Sequence, residues 1–138
     1  MKLNYDCVRD VLLALEENLT IEVDEDGCYS FNTLFSEEIC ELDSLSKYSK
    51  QDIIYAIIKL YEAGYINAST MSADDLTDCI ISDITYDGHE FLQSIKSDPV
   101  WDKVKRVADK VGSISIPIIS SIASQVLSKL ITSAIGIS

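Results

Sequence analysis

The chain has 138 residues, 47% of them hydrophobic, with 23 acidic and 11 basic side chains and a net charge of −12. That length holds one domain and an appendage, and that apolar content excludes a disordered chain. The acidic balance disfavours duplex DNA as a ligand, because affinity for DNA comes mainly from Lys and Arg neutralising phosphates.

Charge is spread unevenly. Residues 1–70 hold 14 acids and 5 bases (−9), 71–98 hold 7 and 1 (−6), and 99–138 hold 2 and 5 (+3). An acidic body with a mildly basic tail suits basic partners, including proteins that themselves hold nucleic acid; plain solubility is the simpler use of the same charge. The opening Met1-Lys2-Leu3-Asn4-Tyr5-Asp6 lacks the apolar run of a signal peptide, so a cytoplasmic protein is expected.

The first helix is predicted from Tyr5 to Leu19. Tyr5, Val8, Leu12, Leu15 and Leu19 recur every three or four residues, and Asn4 stands at the N-cap. Two short β-prone runs follow, Thr20–Val23 and Cys28–Phe31, joined by Asp24-Glu25-Asp26-Gly27, a hairpin signal. The acidic loop begins like a calcium loop but lacks the third ligand and the closing Glu at the required spacing, so it reads as a solvated turn.

A short helix is predicted near Ser36–Asp43, with Ile39 and Leu42 inward. Ser46, Lys47, Tyr48 and Ser49 form a polar turn. Ser49 then caps a helix running to Gly64, with Asp52 placed for a capping box and Ile53, Ile54, Ile57, Ile58, Leu60 and Tyr61 as a wide core stripe. Its outward face is Lys50, Gln51, Tyr55, Lys59 and Glu62. A strand from Ile66 and a returning strand ending at Ile84 enclose a wing that bears Asp74, Asp75, Asp78 and Asp83 and no basic residue. Thr85 caps a helix through Ile95.

Ser97-Asp98-Pro99 opens another helix, over 99–111, lined by Val100, Val104, Val107, Ala108 and Val111 and decorated with Lys103, Lys105, Arg106 and Lys110. After Gly112-Ser113 an amphipathic helix is predicted over 117–135. One apolar row is Ile118, Ile122, Val126 and Leu130, and the adjacent row is Ile119, Ala123, Leu127, Ile131 and Ile135. Polar residues at nearly every second position disfavour a transmembrane span. A single Lys129 on the polar face disfavours an interfacial membrane helix. Packing on the chain's own core and self-association through Ile118, Ile119, Ile122, Val126, Leu127, Leu130 and Ile131 both satisfy such a stripe, and insertion into a partner's groove or a membrane is the third use. The abrupt change in charge makes the segment look appended, which favours a homo-oligomer.

Little here resembles chemistry. His89 is the lone histidine and has no nucleophile or ligand cluster at recognisable spacing. The acids Glu16, Glu17, Glu37, Glu38 and Glu41 lie on solvated helix faces, and no glycine-rich phosphate loop exists among five glycines. Cys7, Cys28, Cys40 and Cys79 form no C-x-x-C pair, so neither a zinc site nor a disulfide framework is indicated. Each reads as a small reduced core residue. No catalytic residue, metal or cofactor is expected.

Met1–Asp10, Lys47-Tyr48-Ser49-Lys50, Ala63-Gly64-Tyr65-Ile66, Ile84-Thr85 with Gly88-His89-Glu90-Phe91-Leu92, Asp98-Pro99-Val100-Trp101 and the Ser/Ile/Leu tail together resemble an uncharacterised family. It consists of small winged-helix-like proteins from phages, prophages and Gram-positive bacteria, catalogued as a domain of unknown function. The resemblance covers nearly the whole chain. It implies a phage or prophage setting and a winged helix, and it carries no activity and no residue roles.

The expected architecture is therefore α+β and mainly helical: a winged helix-turn-helix over 1–97 with a C-terminal helical extension over 98–138. The expected function is non-enzymatic binding of a macromolecule, as an acidic inhibitor or adaptor of a host defence or nucleic-acid-handling protein. The contacts would be Asp74, Asp75, Asp78 and Asp83 on the wing and Glu22, Asp24, Glu25 and Asp26 on the hairpin. The alternative is a DNA-binding transcriptional regulator that reads the groove with Lys50, Gln51, Tyr55 and Lys59.

Overall fold

The computed structural model describes residues 2–72, 75–112 and 115–136, the side chains of residues 70–78 excepted. The protein is α+β and mainly helical, and the chain divides into two compact units, Met1–Gly88 and His89–Ser138.

In the first unit, α1 (Tyr5–Asn18) begins where Asn4 Oδ1 accepts from the Cys7 amide at 3.1 Å, the cap its sequence promised. Cys7, Val8, Val11, Leu12, Ala14 and Leu15 are buried along one face. Strands β1 (Thr20–Val23) and β2 (Tyr29–Asn32) form their own two-stranded antiparallel sheet. β3 (Leu34–Phe35) then starts a separate three-stranded sheet, and α2 (Ser36–Cys40) and a 3₁₀ turn (Asp43–Leu45) lead to α3 (Lys50–Glu62). β4 (Ile66–Ser72) and β5 (Asp75–Ile84) complete that sheet in the order β3-β5-β4, antiparallel throughout. The predicted helix over Ser36–Asp43 is thus two pieces. It breaks because Leu42 is extended, with ψ at 135°, ahead of the 3₁₀ turn.

α3 starts where Ser49 Oγ accepts from the Asp52 amide at 3.1 Å. It ends in a Schellman motif: the Tyr65 amide donates to Leu60 O and the Gly64 amide to Tyr61 O, with Gly64 at φ +80°. Its buried stripe is Ile53, Ala56, Ile57 and Leu60. Tyr61, which helical periodicity places in that stripe, is 54% exposed. Ala56 holds the centre of the face, which turns Tyr61 to its flank.

Two long-range clasps join these elements. Asp10 on α1 accepts from the Tyr48 hydroxyl and pairs with Lys47 Nζ at 3.3 Å, tying α1 to the turn before α3. Burial and the bond to Asp10 push the Tyr48 hydroxyl well above the ordinary phenol range. The second clasp sits after β5. Thr85 Oγ1 donates to Gly64 O at 2.7 Å and accepts from the Gly88 amide at 3.1 Å, while the Thr85 amide donates to Tyr65 O. The start of α4 (Tyr86–Ile95) is thereby seated on the α3–β4 junction, so close that a Cβ on Gly88 would lie 2.0 Å from Tyr65 O.

Of the cysteines, Cys7 alone is fully buried, and Cys40 and Cys79 are half-buried. Cys28 is exposed, against expectation, because it stands just before β2, every residue of which is exposed. Burial pushes the Cys7 thiol up to about 12, with the nearby Asp52 and Asp10 carboxylates adding to the effect.

In the second unit, α5 (Asp98–Val111) packs against α6 (Ile116–Ala134). Pro99 stands in the first turn of α5, and Val100, Trp101, Val104 and Ala108 are buried. Val107 and Val111, placed on that face by periodicity, are 38% and 60% exposed. On α6 the buried residues are Ile116, Ile119 and Ala123. Ile119 therefore serves the interior and is not available to a second copy.

Candidate interaction surface

The hairpin is built by local rules. Asp24 Oδ1 accepts from the Asp26 and Cys28 amides, both at 2.9 Å, and the Gly27 amide donates to Asp24 O at 3.1 Å. Gly27 takes φ +83°, a left-handed conformation that favours glycine. Of the four hairpin acids, Asp24 is thus occupied by the turn itself. Glu22, Glu25 and Asp26 are exposed.

The register pairs Ile21 with Phe31 and Val23 with Tyr29, alternating with Thr20–Asn32 and Glu22–Ser30. Cross-strand partners share a face and successive residues alternate, so Ile21, Val23, Tyr29 and Phe31 lie together on one side. In a half-buried sheet that side would be core. Here they are 57%, 68%, 72% and 44% exposed, and every residue of both strands is exposed. A four-residue apolar face, two of its members aromatic, ends at the exposed turn acids Glu25 and Asp26, while Glu22, paired with Ser30, stands on the opposite face. Aromatic side chains supply large contact area at low entropic cost, and clustered apolar surface rimmed by charge is typical of binding sites. The acids are legible in the sequence, and the exposure of this face is not. Its only sequence signal is the period-2 alternation, which says which residues share a side and not whether anything covers it.

The other predicted contacts are placed less fully. Asp74 lies outside the described residues, as do the side chains of Asp75 and Asp78. Asp83 is half-buried and pairs with Asn67 near the end of β5. On α3, Lys50 and Gln51 are exposed and Tyr55 and Lys59 half-exposed, as a reading face requires. Yet Lys50 Nζ is 2.7 Å from Glu37 Oε1, and Lys59 Nζ is 2.8 Å from Glu62 Oε2. The Glu62 carboxylate raises the Lys59 ammonium above its ordinary value, and Lys59 also lies over the Tyr55 ring at 5.3 Å. Both cations already face carboxylates, so a phosphate has to displace an acid at each.

Among the self-association residues, Ile118 and Ile131 are 47% and 53% exposed, and Ile122, Val126, Leu127 and Leu130 are half-buried. Among the described residues, Ile116–Ala134 is the one helix long and apolar enough to cross a membrane by length and composition.

Comparisons with known proteins agree with an uncharacterised lineage. An uncharacterised protein of Haemophilus influenzae (strain ATCC 51907 / DSM 11121 / KW20 / Rd) is 27% identical over 134 residues, covering 95% of this chain and 99% of that protein. No solved structure matches the chain. The model of the family described as hypothetical protein (DUF2513) matches residues 2–115, and the chain belongs to that family.

Proposed function

We propose that this is a non-enzymatic, winged-helix-type protein of phage or mobile-element origin that acts in the cytoplasm by binding a macromolecule. It serves as an acidic inhibitor or adaptor of a basic, nucleic-acid-handling host protein. The winged-helix reading is supported by the order α1–β3–α2–α3–β4–β5 and by the sheet order β3-β5-β4, with the β1–β2 hairpin inserted after α1. In that reading α3 is the recognition helix.

One observation carries the partner class: the exposed apolar face of Ile21, Val23, Tyr29 and Phe31, with Glu25 and Asp26 at its turn end. Such a surface fits a protein patch that is apolar at its centre and basic at its rim. The apolar contact supplies affinity, and the charges steer encounter and reject acidic competitors. Duplex DNA offers the opposite charge pattern. A DNA-binding regulator using Lys50, Gln51, Tyr55 and Lys59 is the weaker reading, since both lysines are held in ion pairs.

The test is affinity capture by tagged full-length protein from nuclease-treated host lysate, with two variants run in parallel. Glu25→Lys/Asp26→Lys reverses the charge at the turn end of the face, and Val23→Ser/Tyr29→Ser removes half of the apolar face. One retained protein, depleted about tenfold or more by each variant, is expected, with melting temperatures within a few degrees of wild type because these side chains are exposed. Equal retention by wild type and both variants sinks the hairpin as the site. Nucleic acid recovered from untreated lysate with no stable protein partner transfers the function to Lys50 and Lys59.

A further inference from the structure

The C-terminal half of α6 has an apolar stripe with too little to pack on. Among its described residues none beyond Ala123 is buried. Val126, Leu127 and Leu130 are half-exposed, and Ile131 and Ile135 are 53% and 63% exposed. Beside this stripe runs a groove of about 320 Å³ between α6 and the second-unit part of α4, lined by Phe91, Leu127 and Ile131, by Ser120, Ser124 and Ser128, and by one carboxylate, Glu90. The three serines recur every four residues and form a ladder of small side chains, the arrangement that lets two helix backbones approach closely.

Charge identifies the occupant. The chain carries −12, and two copies brought together through the acidic first unit repel each other. From residue 111 to 138 only Lys129 is charged, so this is the stretch along which copies can meet without that repulsion. The lining carries a single charge, Glu90, so a basic partner finds one contact there among apolar and small side chains. A helix that is apolar, nearly uncharged and studded with small residues fits it, and α6 is itself such a helix. Two identical patches can pair about a two-fold axis, each supplying both the ridge and the groove.

We propose that α6 of a second copy docks in this groove, the two helices crossing near Ser124 and Ser128 with Leu127 and Ile131 interlocked, so that the chain is a homodimer independently of what the hairpin binds. Each dimer then presents two hairpins, and a partner with repeated sites gains avidity from the pair.

Sedimentation equilibrium of the full chain, from about 5 to about 200 µM, tests this by mass action. The expected result is a mass rising to twice the 15.3 kDa of one chain. The dimer should tighten about threefold or more between roughly 50 and 500 mM NaCl, because salt screens the repulsion and leaves the apolar contact intact. Ser124→Glu/Ser128→Glu, at two exposed positions, sets four like charges at the crossing and should weaken the dimer at least about tenfold, with the melting temperature unchanged at concentrations where the chain is monomeric. Ile131→Ser, read in the same way, should weaken it severalfold. A mass of 15.3 kDa at every concentration and both salts overturns the proposal. So does a dimer that salt dissociates, which would point to the acidic hairpin on the basic face of α5, and so does a dimer indifferent to both variants. Flotation of a monomeric chain with phosphatidylcholine vesicles overturns it in favour of a lipid surface.

Discussion

Gly88 shows how one residue can be demanded by a neighbour far along the chain. Inside a helix, alanine normally replaces glycine with a gain of about 1 kcal/mol. Here the added Cβ would lie 2.0 Å from Tyr65 O and 2.8 Å from Ile84 Cγ2, and the first of these is backbone that cannot swing aside. Gly88→Ala should therefore destabilise by about 2–3 kcal/mol, the scale of overpacking, and urea unfolding that shows a gain instead would disprove the close approach. Cys7 gives a residue-scale pH dependence. The folded state holds its thiol at about 12 against an ordinary 9.0, so the neutral form is favoured on folding. Its contribution is whole below pH 9 and is lost as pH climbs toward 12, at up to about 1.4 kcal/mol per pH unit. Denaturant unfolding at pH 8 and pH 10 should show the fall, and Cys7→Ala should flatten it whatever its own packing cost.

Between elements, the clasp at Thr85 joins the end of β5, the exit of α3 and the first turn of α4 through one hydroxyl. Thr85→Ala leaves the Gly88 amide without its cap and Gly64 O without its donor, a loss of about 1–2 kcal/mol; Thr85→Ser keeps the hydroxyl and should recover most of it. Equal losses in the two variants would mean that the methyl group, not the bond, holds the junction. The hairpin is the opposite kind of element. Two strands alone are marginal in water, and no side chain of β1 or β2 is buried. Amides of Glu22 and Ser30, a bonded pair of the ladder, are expected to exchange hydrogen far faster than those of α1, and a bound partner should slow them. Protection equal to that of α1 in the free protein would show that the hairpin is stable without a partner.

For the whole molecule, the net charge sets the behaviour. At −12 the folded chain repels itself, and screening relieves the compact state more than the expanded one. Raising NaCl from about 50 to about 500 mM should lift the melting temperature by a few degrees. Ion pairs such as Lys50–Glu37 are exposed and work against this only slightly. A melting temperature that falls with salt would mean that local pairs outweigh the global repulsion.

What the sequence by itself determined were the features with local causes. Asn4, Ser49 and Thr85 cap helices, and Gly64 ends one, because a cap is satisfied within three or four residues and can be read from them. The hairpin turn at Asp24–Gly27 and the acidic character of the candidate site were legible for the same reason. Tertiary structure decided everything that depends on what lies opposite. The alternation in β1 and β2 marked a shared face, yet only the fold left Ile21, Val23, Tyr29 and Phe31 uncovered and Cys28 in solvent. Helical period placed Tyr61 and Ile119 on apolar stripes, and packing sent the first to the flank and the second inside. Gly88 carries no local signal at all, because its need for a missing side chain is set by the Tyr65 carbonyl. Burial is a property of pairs of elements, and a single strand or helix does not encode its neighbour.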